Sequence, residues 1–145
     1  MGVLNVTPDS FSDGGSFLDP GAAARRARVM VDEGADIIDI GAESTRPGAP
    51  AVPAEEELRR LEPVLTRLAP DLGVPISVDT RKPVVARQAL RLGANILNDV
   101  GGLRDPEMMG AAAGASAPVI AMHMRGDPQT MQQNIVYNDV VNDIR

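Results

Sequence analysis

Short apolar runs alternate with longer stretches of helical period along this chain. Val3–Val6, Asp36–Ile40, Pro75–Val78, Asn95–Leu97 and Pro118–Ala121 each read as a strand, which makes five. Between them, PGAAARRARVMVDEGA from Pro20, PAEEELRRLEPVLTRLA from Pro53, KPVVARQALRLGA from Lys82 and DPEMMGAAAGA from Asp105 read as helices. A proline falls at or near the first turn of each, where the N–H it lacks would have no partner inside the helix anyway. Three of the four close on Gly-Ala, a helix-stop signal. In the second helix Leu58, Leu61, Val64, Leu65 and Leu68 recur at i, i+3, i+4 and i+7 spacing, so one face is built to pack.

Strands alternating with helices of this length predict βαβ units and a parallel sheet, hence an α/β fold. Four strand-helix units are followed by a fifth strand and the start of a fifth helix at Tyr137–Arg145, where the pattern stops part-way. A (β/α)8 barrel takes about 250 residues, and this chain has 145. Two architectures fit the pattern. One is a partial (β/α)8 barrel, about its first five strands and four helices. The other is a flavodoxin-like five-stranded sheet.

In either architecture ligands bind at the carboxyl ends of the strands. The polar residues there are Asn5, then Asp39 with Glu43-Ser44-Thr45-Arg46, then Asp79-Thr80, then Asn98-Asp99, then His123. Any one of them could be a turn or helix-cap residue, since Asn, Asp and Ser favour those positions. Asp79 and Asn98 fall at the strand termini rather than at the later cap positions. A carboxylate and an amide side by side there could hold a flat heterocycle by its donor and acceptor edge, and a buried carboxylate needs such a partner.

Composition narrows the chemistry. The net charge is −6 with two Phe, one Tyr and no Trp, which argues against a nucleic-acid surface. There is no cysteine, so thiolate metal sites, thiol nucleophiles and disulfides are excluded. The single histidine, His123, supports neither a zinc site nor a Ser-His-Asp triad. No apolar run approaches the roughly 18 residues that span a bilayer, no secretory signal opens the chain, and a cytoplasmic protein is expected. Gly14-Gly15 and Gly101-Gly102 match neither a Walker nor a dinucleotide spacing.

MGVLNVTPDSFSDGG at the start, IIDIGAESTRPGA at Ile37–Ala49, ISVDT at Ile76–Thr80, NILNDVGG at Asn95–Gly102 and MHMRGDPQTMQ at Met122–Gln132 form five ordered blocks along the chain. They resemble the pterin-binding enzymes and, among them, the dihydropteroate synthase family, the first two being similar to its first two signatures. The resemblance implies a (β/α)8 barrel that joins 4-aminobenzoate to (7,8-dihydropterin-6-yl)methyl diphosphate, giving 7,8-dihydropteroate for folate synthesis, with Mg2+ assisting. By position, Asn5 matches the residue associated with metal and diphosphate, and Thr45 the one that binds the diphosphate ester. Asp79 and Asn98 match two residues that hold the pterin ring, and Met122 one that packs on its face. Phe11, Asp13, Ser44, Arg46 and Pro47 match positions in two mobile loops that order over the site and shape the aminobenzoate pocket. Asp13 and Arg46 are the catalytic candidates among them. A homodimer of the full-length enzyme is implied as well.

The family's later part, with a third pterin-binding Asp, a Lys on the ring and an Arg-x-His pair, has no counterpart. Residues 1–145 are therefore expected to be a pterin-binding domain truncated on its C-terminal side and inactive alone. The residues themselves suit the transfer. An aromatic amine is neutral near pH 7 and needs no strong base. The departing diphosphate needs a hard cation on oxygen ligands, and Asn5 offers one oxygen. Positive charge building on the methylene calls for a carboxylate, Asp79 or Asp13. Two other readings stand beside this one: a catalytically inactive pterin-binding or partner module, and a pterin-dependent methyltransferase.

Overall fold

In a computed structural model, described for residues 1–7, 19–44, 50–127, 130–133 and 135–144, five strands and five helices alternate. They are β1 (Gly2–Asn5), α1 (Pro20–Asp32), β2 (Ile38–Gly41), α2 (Ala54–Leu68), β3 (Ile76–Asp79), α3 (Pro83–Arg91), β4 (Ile96–Asp99), α4 (Pro106–Gly114), β5 (Val119–Ala121) and α5 (Val140–Ile144). All neighbouring strands pair in parallel, and the sheet order is sequential, β1-β2-β3-β4-β5. That order is the wall of a (β/α)8 barrel. A flavodoxin-like sheet would instead place its first strand between the second and third.

The helix starts follow local chemistry. Pro20, Pro83 and Pro106 stand in the first turns of α1, α3 and α4, and Asp19 and Asp105 cap α1 and α4 by accepting backbone N–H bonds. α1 and α3 turn off at Gly34 and Gly93, both at φ +101°, where a side chain would be strained. The third Gly-Ala behaves differently. Gly114 is still helical, and the left-handed residue after α4 is Ser116, at φ 52°.

Side chains alternate across the strands, so register sorts them into two faces. Ile38, Ile40, Ile76 and Val78 face the helices and pack in one core with Ala24 and Ala27 of α1, Leu61, Val64, Leu65 and Leu68 of α2, and Val85 of α3. Each fully buried aliphatic side chain contributes about 1.5–3 kcal/mol. Leu97 continues that face against Met108 and Ala112 of α4. The stripe on α2 holds the leucines expected of it and one residue that was not expected. Glu57 lies on the buried face, 0% exposed.

Candidate active site

The other face of the sheet carries a different set of residues. In register, Val3 stands beside Asp39 and Asp39 beside Ser77, while one rung further Asn5 stands beside Gly41, Gly41 beside Asp79 and Asp79 beside Asn98. Ile120 pairs with Asn98. Met122 lies two residues on, still held to the sheet by its N–H on the Asp99 carbonyl at 3.1 Å. Asn5, Asp79, Asn98 and Met122 thus reach one surface at the carboxyl ends of four strands. Glycine at position 41 keeps that surface open. A Cβ there would lie 3.4 Å from Asn5 Oδ1 and 3.6 Å from both Cβ and Oδ2 of Asp79, so the missing side chain leaves a gap flanked by an amide and a carboxyl.

Asp79 is the electrostatic focus. Burial pushes its carboxyl up to about 7, and the nearby acids Asp39, Glu57, Glu43 and Asp99 push in the same direction. Its Oδ1 is buried without a hydrogen-bond partner among the described residues, as are Asp39 Oδ1 and Ser77 Oγ on the rung below. Asp39 lies within β2, on the rung before the strand end, and it accepts a bond from Asn98 Nδ2 at 3.0 Å. Unpaired buried oxygens are costly, which marks this face as one that a polar ligand would complete.

A second polar cluster supports the first from behind. Lys82 Nζ donates to Glu43 Oε2 at 2.5 Å and to Glu57 Oε2 at 2.6 Å, while Arg81 Nη2 stands 3.5 Å from Glu43 Oε1. Glu43 Oε1 also accepts the Val52 N–H at 3.0 Å, so one carboxylate grips both ends of the segment after β2. Burial alone would push the Glu43 carboxyl up; the Lys82 and Val52 hydrogen bonds and the Lys82 and Arg81 charges outweigh it and hold it low. The i, i+3, i+4 pattern of α2 hides Glu57, and only its spacing from the flanking leucines could have put it on their face.

Neighbours in sequence separate by role. Asn98 faces the site, whereas Asp99 turns to the other side, where its carboxylate accepts the N–H groups of Gly101 at 2.7 Å and Leu103 at 2.8 Å. Asp99 is a turn residue that steadies Leu103 at φ 60°. Thr80 likewise is a turn residue, its Oγ1 accepting the Lys82 N–H at 3.2 Å just before α3. His123 is exposed, with Nε2 2.9 Å from the Tyr137 hydroxyl. Arg104 spends its guanidinium on the carbonyls of Gly101, Gly126 and Met124, tying the turn after β4 to the segment after β5. Ser44 lies among the described residues; Phe11, Asp13, Thr45, Arg46 and Pro47 lie outside them.

The pterin binding enzyme family model matches residues 1–145. The chain belongs to the pterin-binding enzyme family. Within that family it is 51% identical over 146 residues to the dihydropteroate synthase of Synechocystis, covering 100% of this chain and 50% of the relative. A solved dihydropteroate synthase of Xanthomonas albilineans with 4-aminobenzoic acid superposes with a TM-score of 0.87 at 50% identity, covering 99% of this chain and 50% of that one. The Burkholderia cenocepacia enzyme complexed with 7,8-dihydropteroate superposes at 0.83 with 49% identity, covering 99% and 48%. The chain spans half or less of the length of such curated relatives, 50% in Synechocystis and 17% of a probable bifunctional folylpolyglutamate synthase/dihydropteroate synthase of Haloferax volcanii. Among the described residues no group of three acidic, histidine or cysteine side chains could hold a metal ion. No described helix is long and apolar enough to cross a membrane.

Proposed function

We propose that this chain carries the pterin- and diphosphate-binding side of a dihydropteroate synthase. The reaction joins the amine of 4-aminobenzoate to the methylene of (7,8-dihydropterin-6-yl)methyl diphosphate and releases diphosphate. The observation that carries the reading is the convergence of Asn5, Asp79 and Asn98 around the gap at Gly41, on the face of the sheet turned away from the helices. The heterocycle lies against that face, with Asp79 and Asn98 on its polar edge and the Met122 thioether on its plane.

Asn5 sits across the gap from Asp79, where the methyl diphosphate projects. Its one neutral oxygen would hold a magnesium ion bound together with the diphosphate, and such an ion would neutralise charge on the leaving group; Asn5 orients that group. The Asp79 carboxyl, titrating about 7, holds a proton against the ring or, once ionised, balances the positive charge that develops as the C–O bond breaks. Thr45 for the diphosphate ester, Ser44, Phe11 and Pro47 for the aminobenzoate pocket, and Asp13 and Arg46 as catalytic residues complete the proposed site.

Relative affinity for two pterins tests this. Calorimetry is expected to show the chain binding the pterin methyl diphosphate more tightly than 6-hydroxymethyl-7,8-dihydropterin, with magnesium increasing the difference. Equal affinity for both would favour a site that reads the ring alone, as in a pterin-dependent methyltransferase or a pterin-binding module.

A further inference from the structure

Asn98 and Asp39 come from strands that do not touch. β3 lies between β2 and β4, and the Asn98 side chain crosses it diagonally, from the rung of Gly41 and Asp79 to the rung of Asp39 and Ser77. At the end of that reach Nδ2 donates to Asp39 Oδ2 at 3.0 Å. Asp39 is 4% exposed, and this is the one hydrogen bond its carboxylate makes among the described residues, because Oδ1 has no partner. Ser77, directly between the two, has no partner for its hydroxyl among the described residues and does not compete for the amide.

A free asparagine amide can turn over and exchange its donor and acceptor ends at little cost. A carboxylate oxygen is an acceptor, so an amide held against it must offer its NH2. The Asn98 carbonyl oxygen is then the end left for a ligand, and it makes no hydrogen bond to a described residue. We infer that Asp39 is a positioning residue for the ligand site: it locks the Asn98 amide with Oδ1 outward, so that the site selects a ring edge carrying an N–H donor. This rests on the pterin-binding reading of Asn98. It also accounts for a carboxylate kept almost fully buried on this face, where its burial is otherwise a cost. With the lock removed, half of the amide orientations would set an NH2 against the ligand's N–H.

Two variants and two readouts test the lock. Asp39→Asn keeps the shape but can turn either its oxygen or its NH2 to Asn98, so it no longer fixes the polarity of that amide, whereas Asp39→Ala removes the partner altogether. The Asn98 side-chain amide protons, read by nitrogen-edited NMR without ligand, are expected to exchange slowly in the wild type. In Asp39→Ala they exchange about tenfold faster or more, as befits the loss of a bond to a charged acceptor. With 6-hydroxymethyl-7,8-dihydropterin as the probe, Asp39→Ala loses affinity by a similar factor and Asp39→Asn also binds more weakly than the wild type. Unchanged amide exchange in Asp39→Ala would overturn the inference, and so would an Asp39→Asn variant that binds the probe as tightly as the wild type. Should Asp39→Ala fail to fold, the comparison of Asp39→Asn with the wild type still decides. A wild type that binds no pterin would count against the proposed function, while the ligand-free amide exchange would still judge Asp39.

Discussion

Lys82 Nζ lies 2.5 Å from Glu43 Oε2, and the Glu43 side chain is only 6% exposed. The same ammonium serves Glu57, whose side chain is 0% exposed. One cation therefore bridges two buried carboxylates that arrive from just past β2 and from α2, with Arg81 Nη2 a second charge 3.5 Å from Glu43. Lys82→Met is expected to destabilise the fold by about 3–5 kcal/mol, because it strands the Glu57 charge and leaves Glu43 the longer Arg81 contact. Adding Glu57→Leu to Lys82→Met should recover part of that loss. Urea denaturation of the single and double variants measures both effects.

Gly41→Ala separates folding from binding. The added methyl meets Asn5 and Asp79 at 3.4 and 3.6 Å, ordinary contact distances, so the melting temperature should stay close to that of the wild type. The same methyl fills the space between the amide and the carboxyl where the ligand is proposed to sit. Calorimetry with the pterin diphosphate should show a loss of affinity of at least tenfold, roughly 1.4 kcal/mol.

Asp79 makes stability fall as pH rises. Its folded carboxyl titrates about 7, against an ordinary value of 3.8. Between those values the folded state holds a proton that the unfolded state has lost, so stability is fully present at low pH in this window and is lost as pH rises through 7. The loss is on the order of a few kcal/mol. Glu56 is held down to about 2 from an ordinary 4.5, so that shift acts below pH 5. Thermal melts at pH 5 and pH 8 should therefore differ in the wild type, with the lower melting temperature at pH 8, and differ much less in Asp79→Asn.

Asn98 and Asp99 are adjacent in sequence and opposite in consequence. Asp99→Ala frees the Gly101 and Leu103 N–H groups and removes the support of a residue at φ 60°, which should cost about 1–3 kcal/mol. Asn98→Ala removes a side chain on the ligand face, so its effect should fall on pterin affinity. Paired denaturation and binding curves on the two variants check the division.

Much of this was legible in the residue pattern. The five apolar runs, the prolines at the helix starts and the leucine stripe of α2 all depend on local preferences, and each run falls within two residues of its strand, the fourth stopping short of Asn98 and Asp99, which β4 includes. The choice between a barrel wall and a flavodoxin-like sheet depended on strand order, which local pattern does not carry. The same limit applied to the polar residues. Asp39, Asp79, Asn98 and Asp99 were all visible near strand ends, but which face each takes depends on register, and one residue of shift exchanges the faces. Asp39 therefore read only as one polar residue near a strand end, and nothing local showed that Asp99 faces away from the side that Asn98 takes. Glu57 and Lys82 stayed hidden because a buried ion pair joins residues 25 apart, and neither partner is unusual in its own segment.

Titration of the pterin methyl diphosphate into the wild type, Asp79→Ala, Asn98→Ala and Asp99→Ala decides whether the sheet face bearing Asn5, Asp79 and Asn98 binds a pterin. Binding by the wild type, retained in Asp99→Ala and weakened at least tenfold in the other two, is the expected result. Wild-type affinity in Asp79→Ala and Asn98→Ala, or no binding by the wild type, would contradict it.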